Sequence, residues 1–332
     1  MKRFFPARCL SCVLFALMAM PAMAQSGERA SPDGGRLKVF VLAGQSNMQG
    51  HGKVAADPSR NEGQGSLEYL VTKSEHAKRA AHLVDEDGAW VARDDVWIWY
   101  MGRKGKLAPG YGAREGLIGP ELGFGHAVGM ALKEQVLIIK VAWGGKSIHK
   151  DFRPPSSGGE VGAYYEELVQ KVRSVLDDIG SHFPDERGKE YELAGFGWHQ
   201  GWNDGGKMDH VEEYETNLAN LIGDLRKEFA VPTLPVVIAS SGFGGWENKN
   251  ARRVGIMKAQ LAVAERPEFK DSVFTVETRS FFRGPEVSPS KQGYHWNHNA
   301  ETHFLMGDAM GRAMAMLLEG KQPRNSEGGG VK

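Results

Sequence analysis

Short apolar runs rich in β-branched residues alternate along this chain with longer stretches of helical periodicity. That alternation restricts the possible folds more than any other feature. The runs are residues 37–42, 136–141, 193–198, 234–239 and 273–276. The helix-like stretches are 121–134, 162–179, 211–229, 251–265 and 300–318. Within 211–229, Val211, Tyr214, Leu218, Leu221, Ile222 and Leu225 recur at spacings of three and four, which gathers them on one buried stripe. Strands alternating with helices of this length predict an α/β domain, a three-layer α/β/α sandwich around a central, mainly parallel sheet. In such a sheet ligands bind beyond the carboxyl ends of the strands, so functional residues are expected in the loops that follow them.

The first 24 residues carry Lys2, Arg3 and Arg8, then an apolar core over 13–20, then Pro21-Ala22-Met23-Ala24. These are the parts of a secretory signal peptide, and the apolar core is too short to span a bilayer. Cleavage after Ala24 is expected, leaving an exported protein, periplasmic or secreted, with no membrane span. Cys12 precedes the apolar core instead of following it, so it does not read as a lipidation site. Cys9 and Cys12 are the only cysteines, so the mature chain is expected to hold no disulfide and to owe its stability to its core. With 41 basic and 41 acidic residues there is no net field to gather nucleic acid or anionic lipid. A neutral small molecule or uncharged polymer fits better as a partner.

A polar lead over 25–35 precedes the main domain, placed at 36–318, and a flexible tail is expected over 319–332. Residues 52–118 stand apart. They carry Trp90, Trp97, Trp99 and Tyr100 among many charges, with no long periodic segment, and read as an insertion bordering the pocket, with short strands at 89–92 and 96–100.

Residues 39–50, VFVLAGQSNMQG, end a strand in a sharp turn that would present Ser46 at the sheet's carboxyl edge. The residue could simply cap the following helix. As a nucleophile it would need a histidine within hydrogen-bonding reach. The GQSNM turn after a strand, His199-Gln200-Gly201 in mid-chain and a His295 loop before the last helix together resemble the SGNH hydrolases, specifically the sialate O-acetylesterase-like carbohydrate esterases. The resemblance runs from about Leu37 to Met316 and implies an SGNH-type, flavodoxin-like fold.

It also implies roles for particular residues. Ser46 would be the nucleophile and His295 the base, with His298 a rival for that part. Neutral imidazole accepts a serine proton near pH 7 and can return it to the leaving alcohol. Many relatives carry Asp three residues before the base, where this chain has Gln292. A carboxylate from Asp204, Glu277 or Glu286 could orient the imidazole instead; otherwise a Ser-His dyad works with neutral help. The oxyanion would meet the backbone N–H groups of Ser46 and Gly119 and the side-chain amide of Gln200, although Gly119 reads equally well as a glycine before a helix that starts at Pro120. Gln45, Asn47, Trp143, Gly144, Gly145 and Trp202 are expected to line the substrate. Trp202 stands where relatives often have Glu. The 142–147 segment, AWGGKS, lacks phosphate-loop spacing, and the histidines lack zinc-site spacing, so neither metal nor cofactor is expected.

The expected activity is therefore removal of O-acetyl groups from a carbohydrate by an exported serine esterase. Two rivals are a lipase or thioesterase acting on longer acyl chains, and a carbohydrate-binding protein on a decayed hydrolase scaffold. No feature of the sequence fixes an oligomeric state.

Overall fold

The computed structural model describes residues 1, 35–186, 189–326 and 331. The expected signal segment beyond Met1, with Cys9 and Cys12, lies outside the described residues. Among the described residues nine strands follow in chain order: β1 (Leu37–Gly44), β2 (Gly52–Lys53), β3 (Arg93–Tyr100), β4 (Arg103–Leu107), β5 (Leu117–Ile118), β6 (Val136–Ala142), β7 (Tyr191–His199), β8 (Val236–Ala239) and β9 (Val273–Val276). Seven form one sheet in the order β4-β3-β6-β1-β7-β8-β9, and β2 and β5 make a small antiparallel ladder. Every pairing in the large sheet is parallel except β3 with β4.

The alternation of side chains along β1 shows why the sheet is covered on both faces. Val39 and Val41 point into one core with Leu137, Ile139, Leu168, Val172, Leu218 and Leu221, beneath the helices Ala163–Leu176 and Met208–Glu228. Phe40 and Leu42 point into the other with Ile138, Phe124, Phe304 and Met310, beneath the helices Pro120–Ala131 and Ala300–Leu318. This is the three-layer arrangement expected from the sequence. Within the stretch 52–118 the strand expected at 96–100 forms as part of β3. The second half of the stretch is part of the sheet, because β3 pairs in parallel with β6, and β4 closes that edge. No strand forms over 89–92, where Trp90 makes only an isolated bridge to Val84. Among the described residues no helix is long and apolar enough to cross a membrane.

The helices Pro120–Ala131 and Ala300–Leu318 approach backbone to backbone through glycines. A Cβ added to Gly307 would lie 2.0 Å from the Pro120 carbonyl oxygen, and one on Gly123 would lie 2.2 Å from that of Phe304. Neither helix can accept a larger residue at these positions without moving away from the other. Gly307→Val should therefore cost about 3 kcal/mol or more through overpacking, read as a lowered midpoint in calorimetric unfolding; an unchanged midpoint would contradict the close approach.

Candidate active site

Strand β1 lies between β6 and β7, at the place in the sheet where successive connections run to opposite sides. Its carboxyl end is therefore the crevice in which open α/β sheets hold ligands. The chain leaves β1 at Gly44, passes Gln45 in extended conformation, and turns into a one-turn helix, Ser46–Gln49. Ser46 is its first residue and is 8% exposed. Gly50 ends the turn with φ of 95°, and a Cβ there would sit 2.2 Å from the Cα of Gly119, so glycine alone fits.

A fully buried ion pair sits under this turn. Lys140, on β6, donates from Nζ to Glu121 Oε2 at 2.8 Å, to the Gln49 carbonyl at 2.7 Å and to the Tyr111 carbonyl at 2.5 Å. Neither side chain of the pair is exposed to solvent. Burial lowers the Lys140 pKa to about 8 against the opposing pull of Glu121, which leaves the ammonium charged at neutral pH. The other carboxylate oxygen of Glu121 accepts the backbone N–H of Gly119 at 2.8 Å.

His295 lies in the segment Gly293–His298, where Trp296, Asn297 and His298 have φ of 50°, 56° and 58°. Three consecutive non-glycine residues in the left-handed region are strained, and such strain persists only where surrounding contacts over-determine it. Here Trp296 is fully buried against Phe243, with ring centroids 4.5 Å apart. The Asn297 side-chain amide donates to the Arg283 carbonyl at 2.9 Å, and Asn299 caps the last helix by accepting the Thr302 N–H.

The two segments meet. The Asn47 side-chain amide donates to the Tyr294 carbonyl at 2.9 Å, joining the residue after Ser46 to the residue before His295 across 247 positions. His51, which sequence reasoning missed, stacks on His295 with centroids 3.7 Å apart and planes 7° from parallel. Its only sequence signal is its place one residue beyond the GQSNMQG turn. Burial, then His298, lowers the His295 pKa to about 4; burial, then His295, lowers that of His51 to about 3. Both imidazoles are neutral at pH 7.

Among the described residues His295 Nδ1 is buried without a hydrogen-bond partner, so none of the expected orienting groups reaches it. Gln292 is exposed and contributes its backbone carbonyl to the N–H groups of His295 and Asn297. Glu286 is exposed and folds back over Gly284, and Glu277 pairs with Arg279. Asp204 is fully buried in a different loop, where it accepts the N–H groups of Ile148 and His149 and the Gln200 amide. Its acceptor positions face inward and fasten the loop after β6 to the loop after β7.

Gln200 also differs from expectation. Its amide is buried and donates to Asp204 and to the Lys146 carbonyl, while its carbonyl accepts from Tyr214. The amide hydrogens expected to hold an oxyanion are thus committed to fixing loops, and the Gly119 N–H is committed to Glu121. Gln45 and Asn47 likewise do not line the surface. Gln45 is buried and accepts the N–H groups of Gly201 and Asn203, and buried Asn47 holds Tyr294. Gly144 is exposed and borders Ser46, since a Cβ on it would lie 3.9 Å from Ser46 Cβ; Gly145 is exposed beside it in the same turn. Trp143 leans on Tyr164 at 5.2 Å. Trp202 lies 6.0 Å from the exposed ring of Tyr294, with the Arg253 guanidinium 3.6 Å from its centroid. A cavity of about 890 Å³ at the amino ends of β7 and β8, bordered by Tyr191, Glu192 and Pro235, lies at the opposite edge of the sheet and contains none of these groups.

The family model described as carbohydrate esterase, sialic acid-specific acetylesterase, matches residues 36–315. The chain belongs to this family. A probable carbohydrate esterase of Arabidopsis thaliana is 25% identical over 236 residues, which span 68% of this chain and 75% of that protein. Its crystal structure superposes with a TM-score of 0.55 at 19% identity, covering 84% of this chain and 98% of the other. The structure of a carbohydrate acetylesterase from Xanthomonas citri superposes with a TM-score of 0.53 at 13% identity, covering 86% of this chain and 57% of the other. At these identities the superpositions support the shared fold.

Removing one partner of a buried pair leaves the other charge uncompensated. Lys140→Met should destabilise the protein by about 3–5 kcal/mol, measured by denaturant unfolding, whereas replacing both partners with apolar residues should cost much less. Equal losses in the single and double variants would show that the charge of Glu121 is not what Lys140 neutralises.

Proposed function

We propose that the protein is an exported serine esterase that removes O-acetyl groups from a carbohydrate, with Ser46 as nucleophile and His295 as base. The observation that carries this reading is the Asn47-to-Tyr294 hydrogen bond, which ties the residue after Ser46 to the residue before His295. Family membership supports the acetyl ester and the carbohydrate. Export rests on the basic, apolar and Ala-x-Ala pattern of the first 24 residues.

In this mechanism Ser46 Oγ attacks the acetyl carbonyl carbon while its proton passes to neutral His295. The oxyanion is met by the backbone N–H groups of Ser46 and Gly144, in place of the committed donors of Gln200 and Gly119. Collapse expels the sugar oxygen, which takes the proton from His295 and leaves acetyl-Ser46. Water then attacks the acyl group, again losing a proton to His295, and acetate departs with Ser46 restored. Tyr294 and Trp202 offer aromatic faces beside the reaction centre on which a sugar ring can stack. No cofactor takes part.

Purified protein should release acetate from a panel of acetylated glycans, and Ser46→Ala or His295→Ala should each lower the rate about 10⁴-fold or more with little loss of fold. Aryl esters should be cleaved best at acetate; activity that grows beyond butyrate would favour a lipase or thioesterase. The absence of a carboxylate at His295 Nδ1 favours a second reading, a carbohydrate-binding protein with a silenced site. Covalent labelling of Ser46 by an organophosphate would reject it.

The pH dependence follows from the buried imidazole. His295 must be unprotonated to act, and its pKa is depressed to about 4, below the ordinary histidine value of about 6.5. The acid limb of kcat/KM should therefore fall below pH 6, with activity held through the range where an unperturbed histidine would already be protonated. An inflection at or above 6.5 would contradict this environment for the base.

A further inference from the structure

His51, His295 and His298 converge from two segments far apart in the chain. One ring nitrogen from each can be chosen so that all three lie within 4.8 Å of one another. The ring centroids are 3.7 Å apart for His51 and His295, and 5.8 Å apart for each of the two pairs that include His298. All three side chains are half-buried. His51 Nε2 and His295 Nδ1 are buried atoms with no hydrogen-bond partner among the described residues, a condition that costs free energy unless something occupies them.

We propose that His51, His295 and His298 form a site for one zinc-class divalent ion, and that the bound ion withdraws His295 from Ser46, making it a reversible inhibitor of the esterase. The inhibitory half rests on the reading of His295 as base; the binding half does not. Three imidazoles and an open fourth position are a ligand set for tetrahedral Zn²⁺, whose bonds of about 2.0–2.1 Å place neighbouring nitrogens about 3.3 Å apart. The present spacing is wider, so binding draws the rings together by side-chain rotation. The set contains no carboxylate. It therefore selects borderline ions that favour nitrogen, such as Zn²⁺, Ni²⁺ or Co²⁺, over Mg²⁺ and Ca²⁺, which require oxygen ligands.

Charge sets the strength. Arg114 and Lys140 act on His51, while Lys53, Arg60 and Arg114 act on His298. This cationic surround opposes a dication, so the ion is held less tightly than in a structural zinc site and exchanges with solution. Once the ion is bound, the His295 lone pair it uses cannot accept the serine proton, and the remaining nitrogen is made more acidic. Either effect removes the base.

The test uses tag-free full-length protein. Co²⁺ is titrated in and followed by the visible absorption of four-coordinate cobalt, with Zn²⁺ binding measured by calorimetry, on wild type, His51→Ala, His51→Gln and His298→Ala. Circular dichroism and unfolding midpoints establish that each variant is folded. The expected result is one ion per chain in wild type, displaced by a chelator. Each variant should show at least about a tenfold weaker affinity, since losing a direct ligand costs no less than losing one of its outer partners. Zn²⁺ should lower wild-type ester hydrolysis in step with occupancy, and chelator should restore it. No stoichiometric binding, or equal binding by the folded variants, would overturn the site. Binding accompanied by faster hydrolysis would overturn the inhibitory role. A wild-type protein that binds one ion but hydrolyses no ester would retain the site while rejecting the esterase reading.

Discussion

The ion pair between Lys140 and Glu121 is the constraint on which the rest of the site depends. One ammonium group satisfies the carbonyls that end the Ser46 turn and the Tyr111 loop, and one carboxylate fixes Gly119 through its backbone N–H. Three chain segments that share no secondary structure are thus referred to one point beneath β6. Two charges fully removed from water are costly, and the pair is stable because almost every donor and acceptor on it is occupied. Its arrangement also accounts for Gly50 and Gly119, whose backbones approach too closely for any side chain.

The histidine segment is held by a different balance. Left-handed backbone at Trp296, Asn297 and His298 costs of order 1 kcal/mol or more per residue. Burial of an indole the size of Trp296 is worth about 3–5 kcal/mol, and the amides of Asn297 and Asn299 add directional bonds. Burial and these bonds hold the strained backbone of the segment in place, without a carboxylate to orient the ring of His295.

Much of this was legible in the sequence. The strands at 136–142 and 273–276 and the helix at 300–318 stand within a residue of where their apolar patterns place them, because buried elements of a doubly covered sheet carry strong hydrophobic signals. Strand β4, RKGKL, was not legible: it is an edge strand whose lysines guard against pairing with other chains, so it lacks an apolar run. The turn that carries Ser46 was readable from its residues. The partners of Gln200 and Asp204 were not, because their hydrogen bonds span loops that only the folded sheet brings together. His51 was missed for the same reason: its stacking on His295 leaves no trace in spacing.

The glycine-lined seam between the helices at 120–131 and 300–318 has a consequence for biosynthesis. The segment bearing His295 is tied at one end to the helix Ala300–Leu318, which is made well after the serine turn, and that helix can dock only where Gly123 and Gly307 let the backbones touch. A nascent chain therefore displays the serine turn long before it can assemble its partner. In the proposed mechanism the chemistry is acquired only once that helix docks, so chains that stop short of it are inert by construction.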